Sequence, residues 1–351
     1  MAQAREYDLY RSDYFKGAFC EAIGGACAAD TDLVTALFQN PAALATGKPD
    51  WDFDGDLSKK FNLEPGLSST GTQAVESVGV GGAGYSTGSF GIGASASFQT
   101  ANFSADLSIL DGSGNTQTTS LNTKAKTNQY RVPIGFMIRP GFSLGVTIKL
   151  DTHQQEIGFA SSSTNLTSAK SNTVVSFTAG ALYDLNPDFS LGSWVRFPKT
   201  LQEPVSFDST ILSTNISYSE TFALHYPLIW ATGVRYAFNP RWTVFGETDL
   251  IGTTGDGYLL TYNTLSSQLG DLRLKPKGRY AVLEPHWGLR YQVTEKATLH
   301  FGGYFETSRW QDVAGLLHTT GGLSYKFANF LEVIAGLDVT KSSTQIVFTF
   351  R

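Results

Sequence analysis

The sequence of 351 residues has few charged residues and no long hydrophobic run. Charged residues make up 16% of the chain, against roughly 25% in a typical globular domain. A membrane-spanning helix needs about 20 consecutive apolar residues, and no run approaches that length, which excludes a helical membrane protein. The net charge is -5 with both signs interspersed, so nucleic acid is not expected as a partner.

Residues that carry catalysis or bind metal ions are also scarce. The five histidines are scattered, and no nucleophile-elbow, zinc-protease or paired-carboxylate motif occurs. Gly79–Gly84 matches the GxGxxG pattern but lies inside a strand pattern, so we interpret it as a close backbone approach. We therefore predict a protein that is not an enzyme, with no cofactor, no catalytic residues and no metal site. An outer-membrane lipid hydrolase with a Ser-His site between strands is kept as a minor alternative.

From about residue 49 onward, apolar residues alternate with polar or small ones. A clear run is Tyr130, Val132, Ile134, Phe136 and Ile138. Alternation over about eight to ten residues is typical of outer-membrane strands, because one face meets lipid and the other the lumen. The pattern predicts an all-β fold: a transmembrane antiparallel β-barrel or barrel-like sheet of about fourteen strands over 49–351, in the outer membrane of a Gram-negative bacterium.

The connections between the predicted strands alternate in length. Short turns are predicted at 86–89, 139–141, 185–188, 239–240, 293–296 and 328–329, and longer loops at 62–73, 111–123, 160–172, 205–216, 252–277 and 307–315, with a tight one at 340–343. Short periplasmic turns and longer outer loops produce this asymmetry. In the last strand Ile346, Phe348 and Phe350 share a face, which predicts an assembly signal for the outer-membrane insertion machinery, with Arg351 after the final aromatic residue.

The alternation also assigns charged residues to the lumen. The predicted charge network consists of Arg196, Arg235, Glu247, Asp249 and Arg290. A charge that faces lipid costs about 2–4 kcal/mol at the membrane midplane, which supports this register. The network has two interpretations: a polar pore that grips a ligand, or ion pairs that fill the lumen.

Residues 1–48 lack the alternation and form a separate N-terminal segment. Cys20 and Cys27 favour a disulfide, with two free thiols as the alternative. Residues 31–39 are expected to form a short amphipathic helix that Pro41 ends. Such a helix is marginal alone and needs a protein surface to bury its apolar face. The segment is predicted to be either a hatch inside the barrel or an interface with a neighbouring subunit.

The segment FQNPAALA, with Asn40, Pro41 and Ala42, resembles the FadL family of outer-membrane transporters for hydrophobic compounds. The resemblance implies an N-terminal hatch, fourteen strands, and porin-like passage or holding of a hydrophobic or lipid-like small molecule. The sequence departs from that family in its shorter length and its charged lumen. REYDLYRSDYF and the small-residue strands are also similar to PopA-type proteins of predatory bacteria. That similarity implies a homo-oligomer that encloses membrane lipid and organises the membrane.

Overall fold

The computed structural model describes residues 17–46, 50–62, 73–110, 116–161, 164–211, 214–252, 280–307, 314–328, 331–340 and 343–351. Residues 1–16 and 47–49 of the N-terminal segment, and most of the predicted loops at 62–73 and 252–277, lie outside these ranges. The helices are α1 (Gly17–Ala22), α2 (Leu33–Phe38) and a 3-10 helix (Pro41–Ala45). Within the described ranges, no helix is both long and apolar enough to cross a membrane.

The remainder of the described chain is almost entirely β-strand. The strands are β1 (Asp50–Asn62), β2 (Gln73–Ser86), β3 (Phe90–Leu110), β4 (Thr116–Arg139), β5 (Phe142–Ser161), β6 (Thr164–Asn186), β7 (Phe189–Arg196), β8 (Lys199–Ile211), β9 (Thr214–Tyr226), β10 (Ile229–Asn239), β11 (Trp242–Gly252), β12 (Ala281–Gln292), β13 (Ala297–Glu306), β14 (Leu316–Ala328), β15 (Leu331–Val339) and β16 (Ser343–Phe350). Fourteen of them pair antiparallel in chain order, with β7 followed by β10. Strand β1 pairs with both β2 and β16, so the sheet closes into a barrel. The predicted fourteen-stranded antiparallel barrel is confirmed.

The two faces of the barrel wall differ as the alternation predicts. Large apolar side chains such as Phe177, Trp230 and Phe348 are exposed on the outer face. Their neighbours in the chain, such as Thr178 and Ala231, are buried inside. Alternation therefore sorts residues between a lipid-like exterior and a filled lumen. Connections of a few residues, such as 140–141 and 240–241, lie at one end of the barrel, here called the turn end, and the other is the loop end.

Three loops expected from the sequence are largely strand in the structure, and the one at 205–216 is mostly taken up by β8 and β9. The predicted loops at 111–123 and 160–172 are mostly taken up by β4, β5 and β6, which pair with each other up to Ser161 and Thr164. These segments are rich in Thr, Ser and Asn and lack apolar alternation, so the sequence pattern did not reveal them. Paired strands that extend beyond an apolar belt need no apolar face, and β-branched Thr suits a strand.

The predicted strands on either side of the loop at 205–216 are each broken by a proline. Pro198 separates β7 from β8, and Pro227 separates β9 from β10. Strands β8 and β9 then pair only with each other, as a two-stranded sheet outside the barrel ladder. Proline has no N–H to donate to a ladder, which explains why both strands leave the wall at these positions. Both prolines are local signals that mark where β7 ends and β10 begins.

Candidate functional site: the plugged lumen

Residues 17–46, here called the plug, lie inside the barrel. Helix α1 contacts β13 to β16, α2 contacts β1 to β4, and the 3-10 helix contacts β2 to β6. Ala28 faces the inner side of β7 and β10. A segment that contacts strands all around a closed ring lies within it. Ala18, Ile23, Leu37 and Leu44 are completely buried, so the short helices bury their apolar faces on the wall.

Glycines of the barrel wall make room for the plug backbone. A Cβ atom at Gly192 would overlap the carbonyl of Ala28, and one at Gly180 would overlap the side chain of Asn40. The wall glycines that face the plug are Gly82, Gly91, Gly93, Gly135, Gly145, Gly180, Gly192, Gly233, Gly288, Gly302, Gly322 and Gly336. They form a ring around the plug on most strands, whereas the sequence analysis identified a close backbone approach only at Gly79–Gly84. Without side chains at these positions, strand and plug backbones approach closely.

Asn40 joins two parts of the plug to the wall. Its Nδ2 donates to the carbonyl oxygens of Ala28 (2.8 Å) and Ala181 (3.0 Å), and its Oδ1 accepts from the N–H of Ala42 (3.2 Å). Only an amide side chain supplies two donors and an acceptor together. The following Pro41 begins the 3-10 helix rather than simply ending α2. The motif Asn40-Pro41-Ala42 is therefore completely or almost completely buried at the join between plug and barrel.

The plug is also cross-linked internally. Cys20 and Cys27 form a disulfide, and both side chains are buried. Helix α2 lies within the range 31–39 expected from the sequence, and Leu37 and Phe38 pack in the core. Helix α1 was not predicted from the sequence.

The five residues of the predicted charge network all lie on inner-face positions. Glu247 Oε2 accepts from the N–H of Ala28 at 2.6 Å. Asp249 lies 3.6 Å from Nε2 of His286, whose Nδ1 donates to the carbonyl of Gly24 at 2.6 Å. These groups hold the plug backbone, a role that the sequence did not suggest.

The arginines are divided between two regions. Arg235 and Arg290 act on the plug residue Asp30: burial and the neighbouring Asp32 raise the pKa of Asp30, while Arg290 and Arg235 oppose that shift. Arg290 also donates to Thr243 Oγ1 at 3.2 Å. Arg196 lies apart from both, with its guanidinium carbon 5.3 Å from the ring centre of Trp194.

A group of apolar side chains, here called the apolar cluster, lies inside the barrel beside the plug, toward the loop end. Its members are Ala28, Trp194, Tyr226, Ile229, Ala231, Ile251 and Val282, with Val174 packed against it. Lys199 borders it, with Nζ 4.2 Å from the ring centre of Tyr226 and 2.6 Å from Asp151 Oδ2. The cluster adjoins the point where β8 and β9 leave the wall. Sequence analysis missed it because lumen positions were expected to be polar, although Trp194 has the same parity as Arg196.

Comparison with known structures finds the same architecture elsewhere. The toluene transporter TbuX of Ralstonia pickettii aligns with TM-score 0.70 and 14% identity, over 95% of this chain and 97% of that chain. The toluene transporter TodX of P. putida aligns with TM-score 0.67, 14% identity and the same coverage. A FadL homologue of Pseudomonas aeruginosa aligns with TM-score 0.64 and 12% identity, again over 95% and 97%. The chain has the fold of the FadL-type barrels. Neither protein-family models nor curated protein sequences match it.

In this FadL-type barrel, Arg351 directly follows β16 and contacts both β15 and the plug. Its backbone pairs with Glu332 (2.7 and 3.0 Å), and its Nε and Nη2 each lie 3.1 Å from Glu332 Oε2. Its Nη1 forms an ion pair with Asp32, at the start of α2. Burial alone would lower the pKa of Arg351. The neighbouring carboxylates of Asp32 and Glu332 outweigh this effect and raise that pKa above its ordinary value. Arg351 therefore remains charged at physiological pH.

We expect Arg351→Gln to loosen the start of α2. The ion pair with Asp32 is partly exposed, so its loss should cost about 1 kcal/mol, which corresponds to a roughly fivefold higher rate of proteolysis within the plug. Arg351→Gln and Asp32→Asn should be non-additive in a double-mutant cycle. Arg241→Gln, at an exposed turn position, is the matched control. Additive effects of the two substitutions would contradict the pairing.

A Ser-His pair does occur in the FadL-type barrel, but its surroundings differ from those of a hydrolase. His300 Nε2 lies 3.2 Å from Ser324 Oγ, and both residues are buried in the lumen. In the described structure, His300 Nδ1 has no hydrogen-bond partner, whereas a catalytic base is oriented by a carboxylate there. Within the described ranges, no group of three or more His, Cys, Asp or Glu side chains is placed to hold a metal ion.

Proposed function

We propose that this chain is an outer-membrane β-barrel that passes hydrophobic small molecules, with residues 17–46 as the hatch that closes its lumen. The turn end then faces the periplasm and the loop end faces outward. The similar structures TbuX and TodX are described as toluene transporters, which makes monoaromatic hydrocarbons the first candidates for the substrate. No catalytic step is included, because transport of this kind needs only a binding site and a path.

The apolar cluster is the observation that carries this proposal. Much of the barrel's inner face is polar, with buried residues such as Gln129, Lys149 and Thr178. At the cluster, inward positions of β7, β10, β11 and β12 are instead apolar and lie against Ala28 of the plug. Small-molecule sites typically combine an apolar lining with a few polar groups, as Lys199 and Arg196 do at this border. Transfer of apolar surface from water into such a site is favourable by about 25 cal/mol per Å².

The end of the ladder between β6 and β7 supports a path to this cluster from the side of the barrel. Just beyond β7, the N–H of Phe197 donates to the carbonyl of Phe177 on β6 at 3.0 Å. Strand β8 begins two residues later and is not part of the barrel ladder. Both phenylalanine side chains are exposed on the outer face. Val174 on β6 and Trp194 on β7 lie on the inner face, where Val174 packs against the apolar cluster. A hydrophobic molecule dissolved in the membrane would therefore meet the cluster where the β-ladder ends.

We expect the protein to raise toluene uptake by cells that otherwise lack such a transporter. Ala231→Phe should reduce the initial uptake rate about tenfold, because the new ring overpacks the cluster at a completely buried residue. Thr232→Phe is the matched control, since the neighbouring side chain is exposed on the outer face. The measurement is accumulation of radiolabelled toluene, normalised to folded protein in the outer membrane.

Two results would contradict the proposal. Uptake equal to that of cells without the protein would exclude toluene passage. Equal inhibition by Ala231→Phe and Thr232→Phe would exclude the cluster as its route. If the purified protein instead runs as an oligomer that retains lipid and passes no hydrophobic probe, the membrane-organising function takes its place.

A further inference from the structure

Trp194 brings a polar atom into the centre of the apolar cluster. It lies on β7, paired across the sheet with Gly180 and Ala231, and is 1% exposed. Its ring packs among apolar side chains, including Ile229 and Tyr226. The indole N–H is buried, and no hydrogen-bond partner lies within reach of it in the described structure.

The charged groups at the border of the cluster cannot satisfy this N–H. Arg196, over the ring of Trp194, and Lys199, over the ring of Tyr226, carry only donors. The acceptor Asp151 uses Oδ2 for Lys199 at 2.6 Å and Ser176 at 2.9 Å, and its Oδ1 lies 3.5 Å from Lys149 Nζ. In the described structure, none of these groups accepts a hydrogen bond from the indole N–H of Trp194.

The indole on the opposite face shows the ordinary arrangement. Trp230 is exposed on the outside of β10, yet its Nε1 donates to Ser193 Oγ at 2.8 Å. Buried donors in native proteins are nearly always paired, and an unpaired one lowers stability. Trp194 has an unpaired donor and lies in the cluster that we assign to the substrate. This arrangement indicates that the substrate itself supplies the missing hydrogen-bond acceptor.

We propose that Trp194 makes the cluster selective for hydrophobic molecules that carry a hydrogen-bond acceptor, such as an aryl ketone, over pure hydrocarbons. This inference rests on the proposed function, because it names the substrate class of the same site. The acceptor oxygen takes the N–H of Trp194, and the rest of the molecule contacts Ile229, Ile251 and Val282. A hydrocarbon fits the same apolar lining but leaves the N–H unpaired.

The test compares acetophenone with ethylbenzene, which differ by a carbonyl in place of a methylene. Trp194→Phe should weaken acetophenone binding to the purified full-length protein about tenfold, and change ethylbenzene binding by less than about twofold. Trp230→Phe, on the outer face, is the matched control and should change neither dissociation constant. Comparing each ligand between variants removes the difference in solubility between the two ligands.

A second measurement does not depend on the folding of a variant. The protein has six tryptophans, so indole-labelled wild type shows up to six N–H signals in NMR spectra. Acetophenone should move one signal downfield, and ethylbenzene should not. Equal weakening of both ligands by Trp194→Phe, or no loss for acetophenone, would overturn the inference while the proposed function stands. If neither ligand binds the wild type, the proposed function and the inference both fail.

Discussion

Deletion of residues 1–46 should convert the barrel from a closed to an open channel. The plug contacts strands around the whole ring, and its apolar residues are buried against the wall. Barrels of about eight strands are filled by their own side chains, whereas those with about sixteen enclose water. Fourteen strands lie nearer the second case. We expect single-channel conductance in planar bilayers to rise by on the order of tenfold or more without the plug.

The same deletion tests where the plug acts. The deletion variant must still form a barrel, which circular dichroism and heat-modifiable migration on gels would establish. If the folded variant conducts no better than the full chain, another part of the chain closes the lumen and the hatch assignment is wrong. If conductance is unchanged but the particle mass falls, the segment serves subunit contacts instead.

The barrel and the orientation of its residues could be predicted because both follow from a local period. Strands of period two place Trp230 outside and Arg235 inside without any knowledge of their partners. Asn40 and Pro41 likewise marked the end of α2 through local backbone chemistry. Pro198 and Pro227 are local signals of the same kind, because each marks the end or the start of a barrel strand.

The plug site could not be derived in the same way, because it depends on contacts distant in sequence. Position 192 has room only for glycine because the backbone of Ala28 lies against it, and these two residues are far apart along the chain. The two-residue period predicts that Glu247 points inward. It does not predict that Glu247 accepts a hydrogen bond from the backbone N–H of Ala28. For Trp194, the inward position was predictable, whereas its apolar surroundings come from five other strands and the plug.

Gly192→Ala should displace the plug where it joins the barrel. The new Cβ atom would overlap the carbonyl group of Ala28, which is backbone and cannot rotate away. The carbonyl oxygen of Ala28 accepts a hydrogen bond from Asn40, and the N–H of Ala28 donates one to Glu247. A shift of Ala28 therefore strains both hydrogen bonds. Overpacking of this kind typically costs about 1–3 kcal/mol, and two weakened buried hydrogen bonds add to it.

The displacement should appear as faster proteolysis within residues 17–46 and as conductance steps in an otherwise closed barrel. Gly246→Ala is the matched control: it lies on β11, and its Cβ would meet only Val234 Cγ2, at an ordinary 3.5 Å. Equal protection of the plug in both variants would show that plug and wall adapt to each other. In that case, the ring of glycines would not be what positions the plug, because a backbone contact that yields to a methyl group cannot hold it in place.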